Sequence, residues 1–560
     1  MSLFNRIAVS LLAVCLASLG ARAQSFRVQC PALTPLHPGH CGISAKSCTS
    51  SSQCGTGEAC GPWTTPDTNH PGQVKCQQVS GGDGYATMAD GHQIYLFAFS
   101  PLSGLLDINN GLPGTQTADV FNAGYTGPNY STVGYGTCVG ANSPGPTAVP
   151  PTAPASCSTS ADCSIFNTAP PLTPAVALCK HGATAAPDKP YTNAAITEPA
   201  GIMDMGVLAG SSPAPLMAID EDDEFFLTLS NVGMIMRADL FEQHTIHFHG
   251  YPNASSYFDG VPDASVAINI AGSFTYYYTA PDAGTYFWHC HITPPEHLQM
   301  GMVGQLYVRP RQNRVPAGTS VYNALLAANK KADATYTGTG CSDLLCTGQT
   351  PAPAVANTVG GGGLYAYNDG DGSTRYDVEY PIQLMGFDPN FHYVGMTFNP
   401  EQFADMKDKY FLLNGRGYPD TVNTHGNSND VTKTGPLTTM ASDGISRPSQ
   451  PLPAKIVLKS GQRALLRISD LSVTEFTTLG TIGIPMKVIA QNARLLRDTA
   501  GNNMYFNTNS VTLGGGESTD VILDAAGVPT GTYYLYSTNL DHLSNDAENF
   551  GGMMTEIQVL

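Results

Sequence analysis

Charge is scarce in this chain: Asp, Glu, Lys and Arg make up only 12% of its 560 residues. The charge present is one-sided, with 26 Lys and Arg against 44 Asp and Glu and a net charge of −18. A surface so short of cations repels polyanions, which argues against nucleic acid and anionic membrane as partners. Beyond Ile7–Leu19 no apolar run approaches spanning length, so no membrane span is expected. No C-x-x-C pair occurs, which weakens a zinc reading of the cysteines.

Turn formers are abundant, with 59 Gly and 41 Pro beside 42% hydrophobic residues. Such a chain buries a core while turning often, which points to an all-β protein of several domains. Near the N-terminus, Arg6 precedes the apolar stretch and Ala21-Arg22-Ala23 has the small-x-small form of a signal-peptidase site. Residues 1–23 are therefore expected to be a signal peptide cleaved after Ala23, giving a secreted or periplasmic protein. Val14 argues against lipidation of Cys15.

Leaving aside Cys15 and Cys290, the cysteines fall into even groups. Six lie between Cys30 and Cys76, four are Cys138, Cys157, Cys163 and Cys179, and two are Cys341 and Cys346. Even local groups in an exported chain read as disulfides, although spacing does not fix the connectivity. Residues 24–84 form a disulfide-rich segment, and residues 85–310 a β-rich domain with a long insertion at about 107–199. Residues 311–375 are a linker, and residues 376–560 a second β-rich domain. GTYFWHCHI near the end of the first domain is echoed by GTYYLYSTN in the second, so the two domains are read as related. Gly-Thr-Tyr alignment sets Tyr536, Ser537 and Thr538 against His289, Cys290 and His291. The acidic run Asp220–Glu224 reads as a solvated turn, and Met203, Met205, Met234 and Met236 as core packing.

Six of the 14 histidines lie between residues 244 and 297, together with Cys290. Side chains alternate along a strand. His247 and His249 therefore share one face and His244 tends to the other, while His289 and His291 oppose Cys290. This arrangement describes two adjacent metal sites joined by the Cys290 backbone. The loop after Cys290 adds His297 and a methionine, Met300 or Met302. Two imidazoles, a thiolate and a weak thioether form a trigonal set that selects copper.

HTIHFHG, DGVP at Asp259–Pro262, GTYFWHCHI and HLQMGM resemble the copper motifs of multicopper oxidases. FLLNGRGYPDT and VTLGGGESTDVIL extend the likeness into the second domain. The resemblance covers roughly 200–310 and 376–560. It implies two Greek-key cupredoxin β-sandwich domains, the disulfide-rich segment and the insertion being additions to them. It makes His244, Cys290, His297 and Met302 type 1 copper ligands. His247 would serve type 2 copper, and His249, His289 and His291 the type 3 pair. The family function is transfer of electrons from a small-molecule, metal-ion or redox-protein reductant to dioxygen, which becomes water.

Two departures stand out. Five residues, ITPPE, separate His291 from His297 where the family has three. A family trinuclear cluster uses eight histidines from two domains, whereas this chain supplies four and its remaining histidines form no His-x-His pair. A complete cluster therefore implies a homo-oligomer. An electron-transfer or copper-binding protein using only the type 1 site is the alternative. A copper nitrite reductase-like enzyme is a further one, although His247 stands where its proton-delivering Asp belongs. The second domain, lacking copper ligands, suits packing and assembly.

Overall fold

The computed structural model describes residues 27–61, 72–123, 193–320, 364–424 and 450–560, apart from single residues and short stretches within them. It also describes five short strands elsewhere, Gly136–Gly140, Ser156–Cys157, Ala177–Lys180, Thr438–Met440 and Ser446–Pro448. The expected signal peptide and Cys163, Cys341 and Cys346 lie outside the described residues.

The first sandwich packs a five-stranded sheet, which includes the short strand Gln116–Thr117 paired with Val74–Thr87, against a four-stranded one. One joins β1 (Val74–Thr87), β2 (Gln93–Pro101), β4 (Glu224–Gly233) and β6 (Ser273–Thr279) in the order β6-β4-β1-β2. The other joins β3 (Met217–Asp220), β5 (His247–Phe248), β7 (Gly284–His289) and β8 (Val303–Arg309) in the order β3-β8-β7-β5. Helix α1 (Pro294–Gln299) links β7 to β8. The period-two rule is plain in β4. Phe225, Leu227 and Leu229 are fully buried in the core. On the opposite face Thr228 and Ser230 bond across to Thr275 and Ser273 at 2.8 and 2.7 Å.

The second sandwich repeats the plan. One sheet runs β10 (Tyr410–Leu413), β9 (Val378–Phe387), β12 (Arg463–Asp470), β16 (Ser518–Asp524), β14 (Met486–Gln491). Its partner runs β11 (Ile456–Leu458), β18 (Met554–Val559), β17 (Gly531–Ser537), β13 (Thr477–Ile482), β15 (Ser510–Leu513). Each of the four sheets contains one parallel pair: β1 with β4, β3 with β8, β9 with β12 and β11 with β18. The echo between GTYFWH and GTYYLYS is thus an echo of position, since each strand pairs antiparallel with the strand that follows it.

Three disulfides close the first cysteine group: Cys30–Cys76, Cys41–Cys54 and Cys48–Cys60. Cys76 lies within β1, so the boundary expected near residue 84 falls inside a strand. In the insertion, Cys138 stands opposite Cys179 in an antiparallel register.

The acidic run Asp220–Glu224 is not a solvated turn. Glu221, Asp223 and Glu224 are buried because other segments donate to them. Glu221 accepts from Asn368 at 2.7 Å and from the Arg311 amide at 2.6 Å. Asp223 accepts the Gln73 amide at 2.8 Å, and burial, reinforced by Asp220, pushes its carboxyl up to about 7. Glu224 accepts from Tyr277 at 2.6 Å, pairs with His37 at 2.7 Å and takes a further bond from Thr34. The run pins the N-terminal segment and the linker onto the first sandwich. Of the four methionines, Met205 and Met234 are buried and Met236 is exposed.

The odd-numbered face of β7 meets the second sandwich. Phe287 packs with Phe387, Leu412 and Leu471. Thr285 donates to Asp520 at 2.6 Å. The fully buried Arg467 reaches Glu379 at 3.1 Å and Thr285 at 3.3 Å. Burial opposes the charge on Glu379, but Arg309 and Arg467 outweigh it and hold the carboxyl low. Removing one member of such a network leaves a buried charge uncompensated. Arg467→Met is therefore expected to cost about 3–5 kcal/mol, read as a lowered midpoint in urea unfolding.

Candidate metal centre

Strand β7 ends at His289, and the alternation continues through the next residues. Tyr286, Trp288 and Cys290 belong to the core of the first sandwich, while Phe287 faces the second. His247 pairs with His289, and Phe248 with Trp288. The thiol of Cys290 and the imidazole of His289 therefore lie on opposite sides of one stretch of backbone.

On the core side, His244, Cys290 and His297 form one group, all fully buried, with ligand atoms within 4.8 Å of one another. The Cys290 sulfur lies 3.2 Å from Nδ1 of His297 and 4.0 Å from Nδ1 of His244. The amide of Thr245 points at the same sulfur from 3.4 Å. Both imidazoles thus turn the same nitrogen inward. Burial works against ionising Cys290, but the charge on His297 outweighs it and holds the thiol well below its ordinary range. Burial likewise opposes protonation of His297, yet the Cys290 thiolate raises that group to about 10.

Met302 is fully buried beside this group, and its amide donates to the His297 carbonyl at 2.8 Å. A Cβ on Gly81 would stand 2.7 Å from the His244 ring and 3.4 Å from the Met302 methyl. Only a glycine at this point of β1 leaves room for that imidazole.

Across the backbone, His247, His249 and His289 form a second group. In each, Nδ1 faces a carbonyl oxygen: Asp259 for His247 at 2.7 Å, Gly516 for His249 at 3.3 Å and Cys290 for His289 at 2.7 Å. A carbonyl only accepts, so each Nδ1 carries the proton and each Nε2 presents a lone pair. Nε2 of His249 and Nε2 of His289 are 3.0 Å apart. Two lone pairs at that distance repel unless a cation or proton lies between them. Burial, then neighbouring imidazoles, holds both rings below their ordinary range, which disfavours the proton. His291 lies beside this group, its ring 5.0 Å from His247 and 5.4 Å from His289, but its nitrogens fall outside it. Among the described residues no other imidazole joins either group.

Both groups fit metal on their own chemistry. The first offers two nitrogens, a thiolate and a neighbouring thioether, the set suited to copper. The second offers three convergent imidazole lone pairs. Beside it opens a cavity of about 410 Å3, whose walls include His249, Pro294, Pro295 and Ser472–Phe476. The two prolines of the lengthened His291–His297 loop are therefore a wall of this cavity. Sequence reading missed Gly81, Thr245 and Gly516, which support the ligands by space or backbone contact and carry no metal-binding chemistry of their own. Glu242, whose carboxylate stands 3.7 Å from Nε2 of His297, was also missed.

The second sandwich keeps the backbone frame of the first group. The Ser537 amide donates to the Met553 carbonyl at 2.9 Å, as Cys290 does to Met302 at 3.1 Å. The Met553 amide donates to the His542 carbonyl at 2.9 Å, as Met302 does to His297 at 2.8 Å. The thiol is replaced by the Ser537 hydroxyl, 3.1 Å from Nδ1 of His542. The ring stacked on His542, at 3.9 Å, is Phe411.

Two family models, each described as multicopper oxidase, match residues 192–313 and 398–556, together half of the chain. Multicopper oxidase MCE of Talaromyces pinophilus is 32% identical over 123 residues, 22% of this chain and 19% of that protein. Laccase abr2 of Aspergillus fumigatus is 33% identical over 107 residues, 19% of this chain and 17% of that one. The aligned stretch thus spans about a fifth of these relatives. The blue copper oxidase of Nitrosomonas europaea covers 63% of this chain and 79% of its own, at 19% identity and a TM-score of 0.41. The copper nitrite reductase of Nitrosomonas europaea covers 63% and 85%, at 15% identity and a TM-score of 0.36.

Metal uptake by the first group has a definite proton count. The low-lying Cys290 thiol and His297, raised to about 10, hold one proton between them. Ligation requires the free lone pair. Filling the group is therefore expected to release about one proton per chain, measured by calorimetry in buffers of different ionisation enthalpy, and Cys290→Ser should abolish that release. Gly81→Ala should weaken copper binding at least tenfold in competition with a chelator, without unfolding the chain.

Proposed function

The chain belongs to the multicopper oxidase family, and from that premise we propose that it oxidises an external reductant at the His244–Cys290–His297 group and passes the electrons to dioxygen at the neighbouring histidines. In this reading His244, Cys290, His297 and Met302 hold type 1 copper. His247 serves type 2 copper, and His249, His289 and His291 serve the type 3 pair. Bound copper supplies reversible one-electron chemistry at both places. Cys290 offers a sulfur that His297 holds well below the ordinary thiol range. His244 and His297 turn Nδ1 toward that sulfur, and burial keeps water out.

One observation carries the proposal: a single residue belongs to both groups. The thiol of Cys290 lies with His297, while its carbonyl accepts Nδ1–H of His289 at 2.7 Å. The route from sulfur to the second group is therefore a few covalent bonds and one hydrogen bond. Phenols, metal ions and redox proteins all remain eligible reductants. Export to an oxidising compartment is part of the reading, supported by the three disulfides.

A specific feature favours a second reading, electron transfer or copper storage without oxidase activity. His249 faces the Gly516 carbonyl of the second domain, where a complete cluster would need further imidazoles. The oxidase reading therefore requires a second copy of the chain to bring them. A nitrite reductase is disfavoured by His247, whose Nδ1 is committed to Asp259.

Anaerobic copper loading of the purified oligomer, followed by paramagnetic resonance and oxygen uptake, separates these readings. The oxidase is expected to show a blue band, additional type 2 or coupled copper, and four-electron consumption of dioxygen. A blue band without oxygen uptake would refute the oxidase and leave the carrier; nitrite turnover would refute both.

A further inference from the structure

Two short sets of cysteine-bearing strands lie outside the copper groups and share one construction. In the N-terminal segment, strand Gly39–Cys41 runs between Ser47–Cys48 on one side and Cys60–Gly61 on the other. In the insertion, Gly136–Gly140 runs between Ser156–Cys157 and Ala177–Lys180. In both sets the first strand in sequence is the middle one of the sheet, and every pair is antiparallel. The registers coincide residue by residue. Gly39 faces Cys48 as Gly136 faces Cys157, and His40 faces Ser47 as Thr137 faces Ser156. On the other edge, His40 faces Gly61 as Thr137 faces Lys180, and Cys41 faces Cys60 as Cys138 faces Cys179.

The sequence repeats with the register. Ser47-Cys48 opens SCTSSSQC and Ser156-Cys157 opens SCSTSADC, with five residues between the cysteines of each. In the first, Gln53 closes this stretch into a turn, its side-chain oxygen accepting the Thr49 amide at 2.6 Å. Asp162 holds the matching position with the same acceptor chemistry. A Cβ on Gly39 would collide with the Gly61 carbonyl, and Gly136 stands at the matching register. The two sets differ in their loops. Between Cys138 and Cys157 lie 18 residues, where six lie between Cys41 and Cys48. Between Cys163 and Cys179 lie 15, where five lie between Cys54 and Cys60. Both sets are rooted at one place on the first sandwich. The Ala195 amide donates to the Phe121 carbonyl at 3.2 Å, closing the base of the insertion, and Asn122 donates to the Cys30 carbonyl at 2.8 Å.

We infer that the insertion carries a second copy of the N-terminal disulfide module, bonded Cys157–Cys179 and Cys138–Cys163. Four cysteines allow three pairings. Register alone suggests Cys138–Cys179, the facing pair. The N-terminal copy shows otherwise: Cys41 faces Cys60, yet Cys41 bonds Cys54 and Cys48 bonds Cys60. The reason is mechanical. Facing residues of neighbouring strands are already held by the ladder, whereas the two edge strands share no hydrogen bonds. The Cys48–Cys60 bond straps one edge to the other across the middle strand, and Cys41–Cys54 ties the turn to that strand. Strands this short are not stable alone and need such straps. Transfer by register makes Cys157–Cys179 the strap between edges. Cys163, which lies outside the described residues, takes the place of Cys54 by its spacing from Cys157. Each bond forms as two thiols give two electrons and two protons to an organic disulfide, which becomes two thiols.

The test labels free thiols of the full chain with N-ethylmaleimide in guanidinium without reductant. The chain is then reduced, and tandem mass spectrometry locates the label. In the wild type the four cysteines of the insertion should carry none. Cys138→Ser should place the label on Cys163, and Cys157→Ser should place it on Cys179, each at least tenfold above the other cysteines of the insertion. In Cys138→Ser, a label on Cys179 or on Cys157 overturns the pairing. Label on all four in the wild type overturns the module itself. Should either variant fail to accumulate, the wild type decides. A thermolysin and Asp-N digest kept unreduced should contain a Cys157–Cys179 cross-linked peptide, and a Cys138–Cys179 or Cys138–Cys157 peptide overturns the inference.

Discussion

Between His289 and Cys290 the chain passes from one side of a sheet to the other, and both metal groups hang on that step. Strand geometry sends the thiol into the core of the first sandwich and the preceding imidazole toward the second domain. The step is held from both sides. The Cys290 amide donates to Met302, which places the thioether strand, and the Cys290 carbonyl accepts from His289, which sets that ring's tautomer. A one-residue slip would exchange the two faces and empty both groups together. The long register of β7 with β8, six residue pairs from Gly284 to His289, makes such a slip costly.

The second domain matters because of where its surface lies. Thr285, Phe287 and His249 all reach it, through Asp520, a shared apolar cluster and Gly516. The histidine face of the first sandwich is therefore also an interdomain face. Its rigidity comes from buried ion pairs and hydrogen bonds around Arg467 rather than from apolar contact alone. That arrangement holds the imidazoles in fixed geometry, as a metal group requires of its supporting shell. It also sets the cavity beside His249 between domains, with the prolines of the lengthened loop on one wall.

The two groups of histidines around Cys290 were legible in the sequence because alternation and spacing are local. That His247 and His249 share a face, and that His289 and His291 oppose Cys290, follows from parity alone. The supporting contacts were not legible, because they come from residues remote in sequence. Gly81 is 163 positions from the ring it makes room for, and β1 itself reads VKCQQVSGGDGYAT, too rich in Gly and Gln to announce a strand. The acidic run was misread for the same reason. Its neutralising donors, Gln73, Asn368 and the Arg311 amide, lie on segments that no local pattern connects to it. The sandwich class was legible from turn-separated β runs, while the segment boundary near residue 84 failed where a disulfide cysteine turned out to belong to a strand.

The two domains together separate what the fold needs from what the metal needs. Ser537, His542 and Met553 keep the same backbone bonds as Cys290, His297 and Met302, with a hydroxyl for the thiol and Phe411 stacked on the imidazole. This frame forms without a copper donor set, so the loop geometry is a property of the sandwich and not of ligation. In the first group the Cys290 sulfur and Nδ1 of His297 lie 3.2 Å apart in a buried core, the thiol held low and the imidazole raised to about 10. A buried centre whose loop geometry belongs to the sandwich limits how far its side chains must reorganise when the charge of the site changes.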